Sequence, residues 1–231
     1  MGHAGTHAIN TALFSKLPYD PVKDFAPVTN MIQTKHILVV PAASPAKTVS
    51  ELVALAKQKN LSYASQSVGA GGHLLGEMLS TRAGIKMTHV PYKGSAPAVQ
   101  DTIEGRVDLF FDALITSGPH IRSGKLRALA IASPNRASQF PDVPTMAEAG
   151  YPGVELDFWF ALYAPAATPQ PVIAKLNQEF VKAMRTDEVS KFFGNLGLDV
   201  VTTTPAELAK MGTDDTVRLG KVVRDSGAKA D

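Results

Sequence analysis

The feature that most constrains this chain is a regular exchange between short apolar runs and amphipathic stretches of helical spacing. Ile37-Leu38-Val39-Val40 is an apolar run closed by Pro41, and Thr48-Val49-Ser50-Glu51 is a capping box that opens a helix through Leu52, Val53 and Ala56. Leu61 to Ser65 reads as the next strand. Gly69-Ala70-Gly71-Gly72 then leads into Leu74, Leu75, Met78 and Leu79 at helical spacing, stopped by Gly84. The pattern repeats with a strand at Met87 to Val90, a helix from Ser95 to Glu104, a strand at Val107 to Phe111, a short helix from Ser117 to Ser123 and a strand at Leu126 to Ala132. Such alternation predicts an α/β fold with a mostly parallel sheet covered by helices on both faces.

A proline-punctuated stretch from Ser133 to Gly153, holding a second capping box at Thr145 to Glu148, marks the end of this unit. Beyond it come a strand-like run from Leu156 to Tyr163, a helix opened by Pro169 and Pro171, a short helix from Asp187 and a strand at Leu198 to Val201. The last helix is capped by Thr204 and Glu207, and Gly212-Thr213-Asp214-Asp215 is expected to interrupt it. The composition changes place crossings of the chain near residues 40 to 44 and 150 to 157. They predict one lobe over 42–154 and another from 1–41 together with 155–231.

At 231 residues, 45% of them hydrophobic, the chain is long enough to bury a core without staples. Lys and Arg exceed Asp and Glu by 23 to 21 with no run of like charge, which argues against a nucleic-acid surface or a polybasic membrane tail. Cysteine is absent, so disulfides, thiolate metal sites and Cys nucleophiles are excluded. MGHAGTHAIN at the start has neither the basic nor the apolar segment of an export signal.

In open parallel sheets, ligands bind outside the carboxyl ends of the strands, so the loops there are the candidate site. Ser65-Gln66-Ser67-Val68-Gly69-Ala70-Gly71-Gly72-His73 combines hydroxyls and glycines at a helix start. It reads either as an anion cradle of backbone N–H groups or as a turn needed for tight packing. It lacks the ending of a P-loop, which disfavours a nucleotide. Tyr92-Lys93-Gly94-Ser95 is a second such loop, with Ser95 placed to cap the next helix, and Gly5-Thr6-His7 is a third, with Thr6 placed like a cap. Asp112 ends an apolar run at the sheet edge, to be read as a ligand contact or as a cap for the segment after it. Trp159 suits either the core or a cleft wall. His3 and His7 lack an acidic partner at ligand spacing, so no metal is expected, and neither a G-x-S-x-G elbow nor an H-E-x-x-H motif is present.

These residues fall into motifs that together resemble the Bug family, the extracytoplasmic receptors of tripartite tricarboxylate transporters. The motifs are Gly5-Thr6-His7-Ala8-Ile9-Asn10, Tyr19-Asp20-Pro21 with Asp24-Phe25-Ala26-Pro27-Val28, His89-Val90-Pro91-Tyr92-Lys93-Gly94-Ser95-Ala96-Pro97, Phe111-Asp112, Gly124-Lys125-Leu126-Arg127-Ala128-Leu129-Ala130 and Pro141-Asp142-Val143-Pro144-Thr145. The resemblance implies a type II periplasmic-binding-protein fold of two α/β lobes with a small carboxylate-bearing solute held between them. It implies a periplasmic location, membrane transporter components as partners, no cofactor and no catalysis. Family members open with a signal peptide and a strand-helix-strand portion ahead of the Gly5-Thr6-His7 motif, so the first lobe is expected to be incomplete. Carried over by position, the ligand residues are Thr6, Ser67, Gly69, Ala70, Gly71, His73, Tyr92, Lys93, Gly94, Ser95 and Asp112, with Trp159 lining the cleft. An α/β enzyme acting on a small organic acid is the alternative.

Overall fold

A computed structural model describes residues 1–229. The elements run β1 (Gly2–His3), a π-helical turn (Gly5–Ile9), α1 (Asn10–Leu13), β2 (Phe25–Thr34), β3 (His36–Pro41), α2 (Val49–Gln58), β4 (Leu61–Ser65), α3 (Gly71–Ala83), β5 (Met87–Pro91), α4 (Ser95–Ile103), β6 (Leu109–Ala113), α5 (Leu114–Arg122), β7 (Leu126–Ile131), β8 (Phe158–Pro165), α6 (Gln170–Met184), α7 (Asp187–Asn195), β9 (Leu198–Val200) and α8 (Pro205–Ser226). They divide into two compact units, one of Met1–Thr34 with Phe158–Asp231 and one of Lys35–Asp157. The expected first crossing near residues 40 to 44 thus falls earlier, at Thr34 and Lys35. The cause is β3, which sits inside the second unit's sheet between β6 and β7.

In the second unit the strand order is β5-β4-β6-β3-β7. β4 pairs parallel with β5 and β6, while β3 pairs antiparallel with both β6 and β7, so four strands share a direction and β3 alone is reversed. A crossover helix enforces parallel order between β4 and β5 and between β5 and β6, whereas β3 enters directly from β2 and carries no such constraint. Ile37, Leu38, Val39 and Val40 are all fully buried, as a strand covered on both faces requires. Ile37 and Val39 join Ala64, Phe110, Val99 and Leu114 in one core cluster.

In the first unit the order is β1-β8-β2-β9 and every pairing is antiparallel. The expectation of a mostly parallel sheet fails here because β2 and β8 are joined only through the whole second unit. The ten-residue β2 was not anticipated. Pro27, Thr29 and Asn30 break the apolar alternation along it, and register shifts fall between Pro27 and Thr29 and between Asn30 and Ile32. α8 carries the predicted capping box of Thr204 and Glu207, and it runs unbroken through Gly212 instead of stopping there. α5 likewise starts at Leu114, three residues before the expected Ser117. Among the described residues no helix is long and apolar enough to cross a membrane.

Candidate functional site

The loops after β4, β5 and β6 lie at the same end of three neighbouring parallel strands, and hydrogen bonds tie them into one assembly. The Tyr92 and Gly94 N–H groups donate to the carbonyls of Ser65 and Gln66 at 2.9 and 2.8 Å, so the two loops that the sequence singled out lie side by side. Gly94, with φ of 107°, occupies a conformation that favours glycine, and it leads directly into the first turn of α4.

Glycine is required in the first loop by close packing as well as by conformation. Gly69 has φ of 75°. A Cβ on Gly71 would stand 2.5 Å from His36 Nε2, and one on Gly72 would stand 2.6 Å from the Phe111 carbonyl oxygen. Several donors of this loop are engaged within it. The Gly69 N–H donates to His73 Nδ1 at 3.0 Å, the Ala70 N–H to the Ser67 carbonyl at 3.2 Å and the Gly72 N–H to Gln66 Oε1 at 3.2 Å. The packing turn and the anion cradle are therefore compatible readings of one segment. Its inner face seats α3 against the sheet, and Ser67 and Val68 are exposed on its outer face.

Asp112 organises the assembly. It is fully buried, and its Oδ1 accepts from Gln66 Nε2 at 3.2 Å and Ser95 Oγ at 2.8 Å. Its Oδ2 accepts from Ser117 Oγ at 2.6 Å and from Thr116 Oγ1. One carboxylate thus joins the β4 loop, the start of α4 and the first turns of α5, which satisfies the rule that a buried charge must be hydrogen-bonded. Ser95 does not cap α4 as expected: Gly94 holds the cap position without a side-chain bond, and the Ser95 hydroxyl is turned to Asp112. Gln66, Thr116 and Ser117 were not among the predicted residues. A pair of hydroxyls placed just after a buried acid was the available signal for the last two.

Tyr92 packs its ring against the core, and its hydroxyl donates to Asp101 Oδ2 at 2.9 Å. Burial, with the hydrogen bond to Asp101 and its negative charge, pushes that phenol up to about 12, so it stays a neutral donor. Lys93 is exposed. His36 lies buried beside Gly71, and desolvation lowers its pKa, opposed by the negative charge of Asp112 and by its bond to the Leu156 carbonyl at 3.3 Å.

Two predicted residues belong to the first unit. Thr6 lies inside the π-helical turn rather than at a cap, with its hydroxyl at 3.1 Å from both the N–H and the carbonyl of His3 and at 2.9 Å from His7 Nδ1. Trp159 is buried in a cluster with Ala4, Ala161 and Leu208, and its indole N–H donates to Asp215 Oδ2 at 2.8 Å. It is a core residue of its unit.

Two helix-covered sheets in two units, with hydroxyl- and glycine-rich helix starts gathered at one sheet edge, define a protein of the periplasmic-binding class. The fold matches R. palustris Rpa4515 with adipate at a TM-score of 0.89 and 33% identity, covering 98% of this chain and 76% of that one. It matches MatC from Rhodopseudomonas palustris with bound malate at a TM-score of 0.83 and 35% identity, covering 96% and 77%. The protein BugT of Bordetella pertussis is 35% identical over 96% of this chain and 69% of its own length. The family model described as tripartite tricarboxylate transporter family receptor matches residues 2–228. The chain belongs to that receptor family. It spans 65% to 69% of the length of three curated relatives that it matches, about two thirds of each.

Proposed function

We propose that this chain captures a small carboxylate-bearing solute at the joined loops of its second unit and presents it, outside the cytoplasmic membrane, to the membrane components of a tripartite transporter. The carrying observation is the convergence of the Ser65–Gly72 and Tyr92–Ser95 loops where parallel strands end. Apart from Gly72, whose amide Gln66 takes, and Pro97, which has none, the first turns of α3 and α4 offer amides that a helix leaves without partners, together with the positive end of each helix dipole. Neither loop contains arginine, so recognition rests on backbone N–H groups, hydroxyls and water rather than on a bidentate clamp. The adipate and malate in the two similar structures support a carboxylate as the recognised group. In this reading Asp112 does not touch the solute; it positions the groups that do.

Calorimetric titration of the protein with adipate, malate and a monocarboxylate tests the proposal. The expected result is one solute bound per chain and recovered unchanged by mass analysis. Turnover of the solute would establish the organic-acid enzyme instead, and loss of binding on Lys93→Ala with none on Gly69→Ala would shift recognition to a point charge.

A further inference from the structure

We propose that a stacked histidine pair beneath the Ser65–Gly72 loop makes this site acid-labile: a proton taken up by His73 Nδ1 breaks the bond from the Gly69 N–H and opens the loop. The inference rests on reading that loop as a solute cradle.

The rings of His73, in the first turn of α3, and His89, on β5, stack at 3.9 Å between centroids with 3° between their planes. Tyr63, the cross-strand neighbour of His89 on β4, lies against it at 5.0 Å. The polar edges of both imidazoles hold the loop. His73 Nδ1 accepts the Gly69 N–H, so in the neutral ring the proton resides on Nε2. His89 Nε2 lies 2.6 Å from Ser65 Oγ, whose single proton is given to the Ser67 carbonyl at 2.9 Å, so His89 donates to Ser65. A proton arriving at His73 Nδ1 turns an acceptor into a donor that faces another donor. A second charge on the adjoining ring adds repulsion at stacking distance.

Desolvation lowers both histidines, His89 to about 4, with the charge of His73 adding to the lowering and Glu77 opposing it. An opened loop returns the imidazoles toward 6.5, so below that value the open form binds protons more strongly than the closed form, and closure is progressively lost as pH falls toward 4. Glu77 on α3, hydrogen-bonded by the Tyr63 hydroxyl, is the charged group that faces the stack, and Tyr63 is the titratable group on β4. β5 carries no other titratable side chain, and Asp112 on β6 acts on His36.

The test uses His73→Asn, whose Oδ1 can accept the Gly69 N–H in place of Nδ1 but cannot gain a proton. His89→Gln, which keeps a neutral donor toward Ser65, is the second variant. Adipate and malate affinities are measured by calorimetry between about pH 7.5 and about pH 5, and NMR follows the Gly69 amide and the imidazole signals of the ligand-free protein over the same range. The parent is expected to lose about tenfold in affinity, with Gly69 losing protection as His73 titrates, while His73→Asn holds both nearly constant. A Gly69 amide that stays protected while His73 titrates, or an unchanged acid response in His73→Asn, would overturn the proposal. If neither solute binds at any pH, the solute-site reading fails, and the Gly69 measurement still decides whether the loop is acid-gated.

Discussion

In the second unit, strands β4, β5 and β6 run in one direction, so their ends fall at one sheet edge and each is followed by the start of a helix. The first unit pairs its strands only antiparallel. The two buried acids make the contrast concrete. Asp112 accepts four side-chain bonds from neutral donors in three segments that meet at the sheet edge. Asp215 accepts the Trp159 indole and the Arg218 guanidinium, and so fastens α8 to β8. In this chain the parallel strands gather helix starts that Asp112 ties together, whereas Asp215 acts as a core fastener beside the antiparallel sheet.

Removing each acid is the strongest way to break this comparison. Asp112→Ala removes four hydrogen bonds at once, leaving the Ser95 and Ser117 hydroxyls to find new acceptors while Thr116 and Gln66 keep the carbonyls of Ala113 and Phe111. It is expected to cost more than about 3 kcal/mol in chemical denaturation, with Asp112→Asn milder because one acceptor oxygen survives. Asp215→Ala, whose arginine partner is 47% exposed on its side chain, should cost about 1.5 to 3 kcal/mol and leave solute binding intact. Equal losses of solute affinity in the two variants would show that the acids do not differ in role.

Packing at the glycines gives the next effect. Gly71→Ala forces a methyl to within 2.5 Å of His36 Nε2, and Gly76→Ala forces one to 2.3 Å from the Tyr63 ring. Each is expected to lower stability by about 1 to 3 kcal/mol, because backbone or ring must shift to make room. A melting temperature unchanged in both would mean that α3 sits farther from the sheet than described.

The close approaches at these two glycines lie across the fold and were not legible in the sequence. The strand and helix order of the second unit, the helix stop at Gly84, the Thr48 cap and the capping box at Thr204 depend on neighbours within a few residues, and local pattern found them. At Thr48 only half of the expected box forms, because the Glu51 carboxylate accepts the Lys47 N–H instead of the Thr48 N–H. The two hydroxyl- and glycine-rich loops were found in the same way. The roles of Gln66 and His89 were not legible, because their partners lie across the fold: Gln66 meets Asp112 across 46 positions and Ser65 meets His89 across 24. Thr116 and Ser117 are different, since they follow Asp112 by four and five positions and their local signal was passed over. β2 escaped because its interior positions Thr29 and Asn30 are polar yet fully buried, which erases the alternation a strand is read from.

Acid sensitivity separates the units more finely. In the first unit burial lowers His7 to about 4, with the charges of His3 and the amino terminus adding to the effect, and its ring stacks on Tyr163 at 4.0 Å. Because the folded value lies below the unfolded one, the stability this neutral histidine supports is present above about pH 6.5 and is lost as pH falls toward 4. His7→Asn should flatten the pH dependence of thermal unfolding without altering the acid response of solute binding. An altered binding response would place the acid gate in the first unit and contradict its assignment to His73.

The smallest expected effect has the opposite sign, and it tests a helix whose pattern misled. Gly212 in α8 looks like a breaker in sequence, yet the helix passes through it with its capping box intact at one end and Gly227 in the left-handed conformation at the other. A Cβ there would meet only the Tyr163 hydroxyl at 3.8 Å, an ordinary contact, so nothing in the fold requires glycine at that position. Gly212→Ala removes backbone freedom from the unfolded chain and should raise stability by about 0.5 to 1 kcal/mol, read as a higher denaturant midpoint at unchanged slope. In the second unit the same substitution at Gly71 is expected to destabilise, so the pair isolates steric demand from helix propensity. If Gly212→Ala destabilised the protein, the Tyr163 hydroxyl would have to be held more rigidly against α8 than a 3.8 Å separation implies.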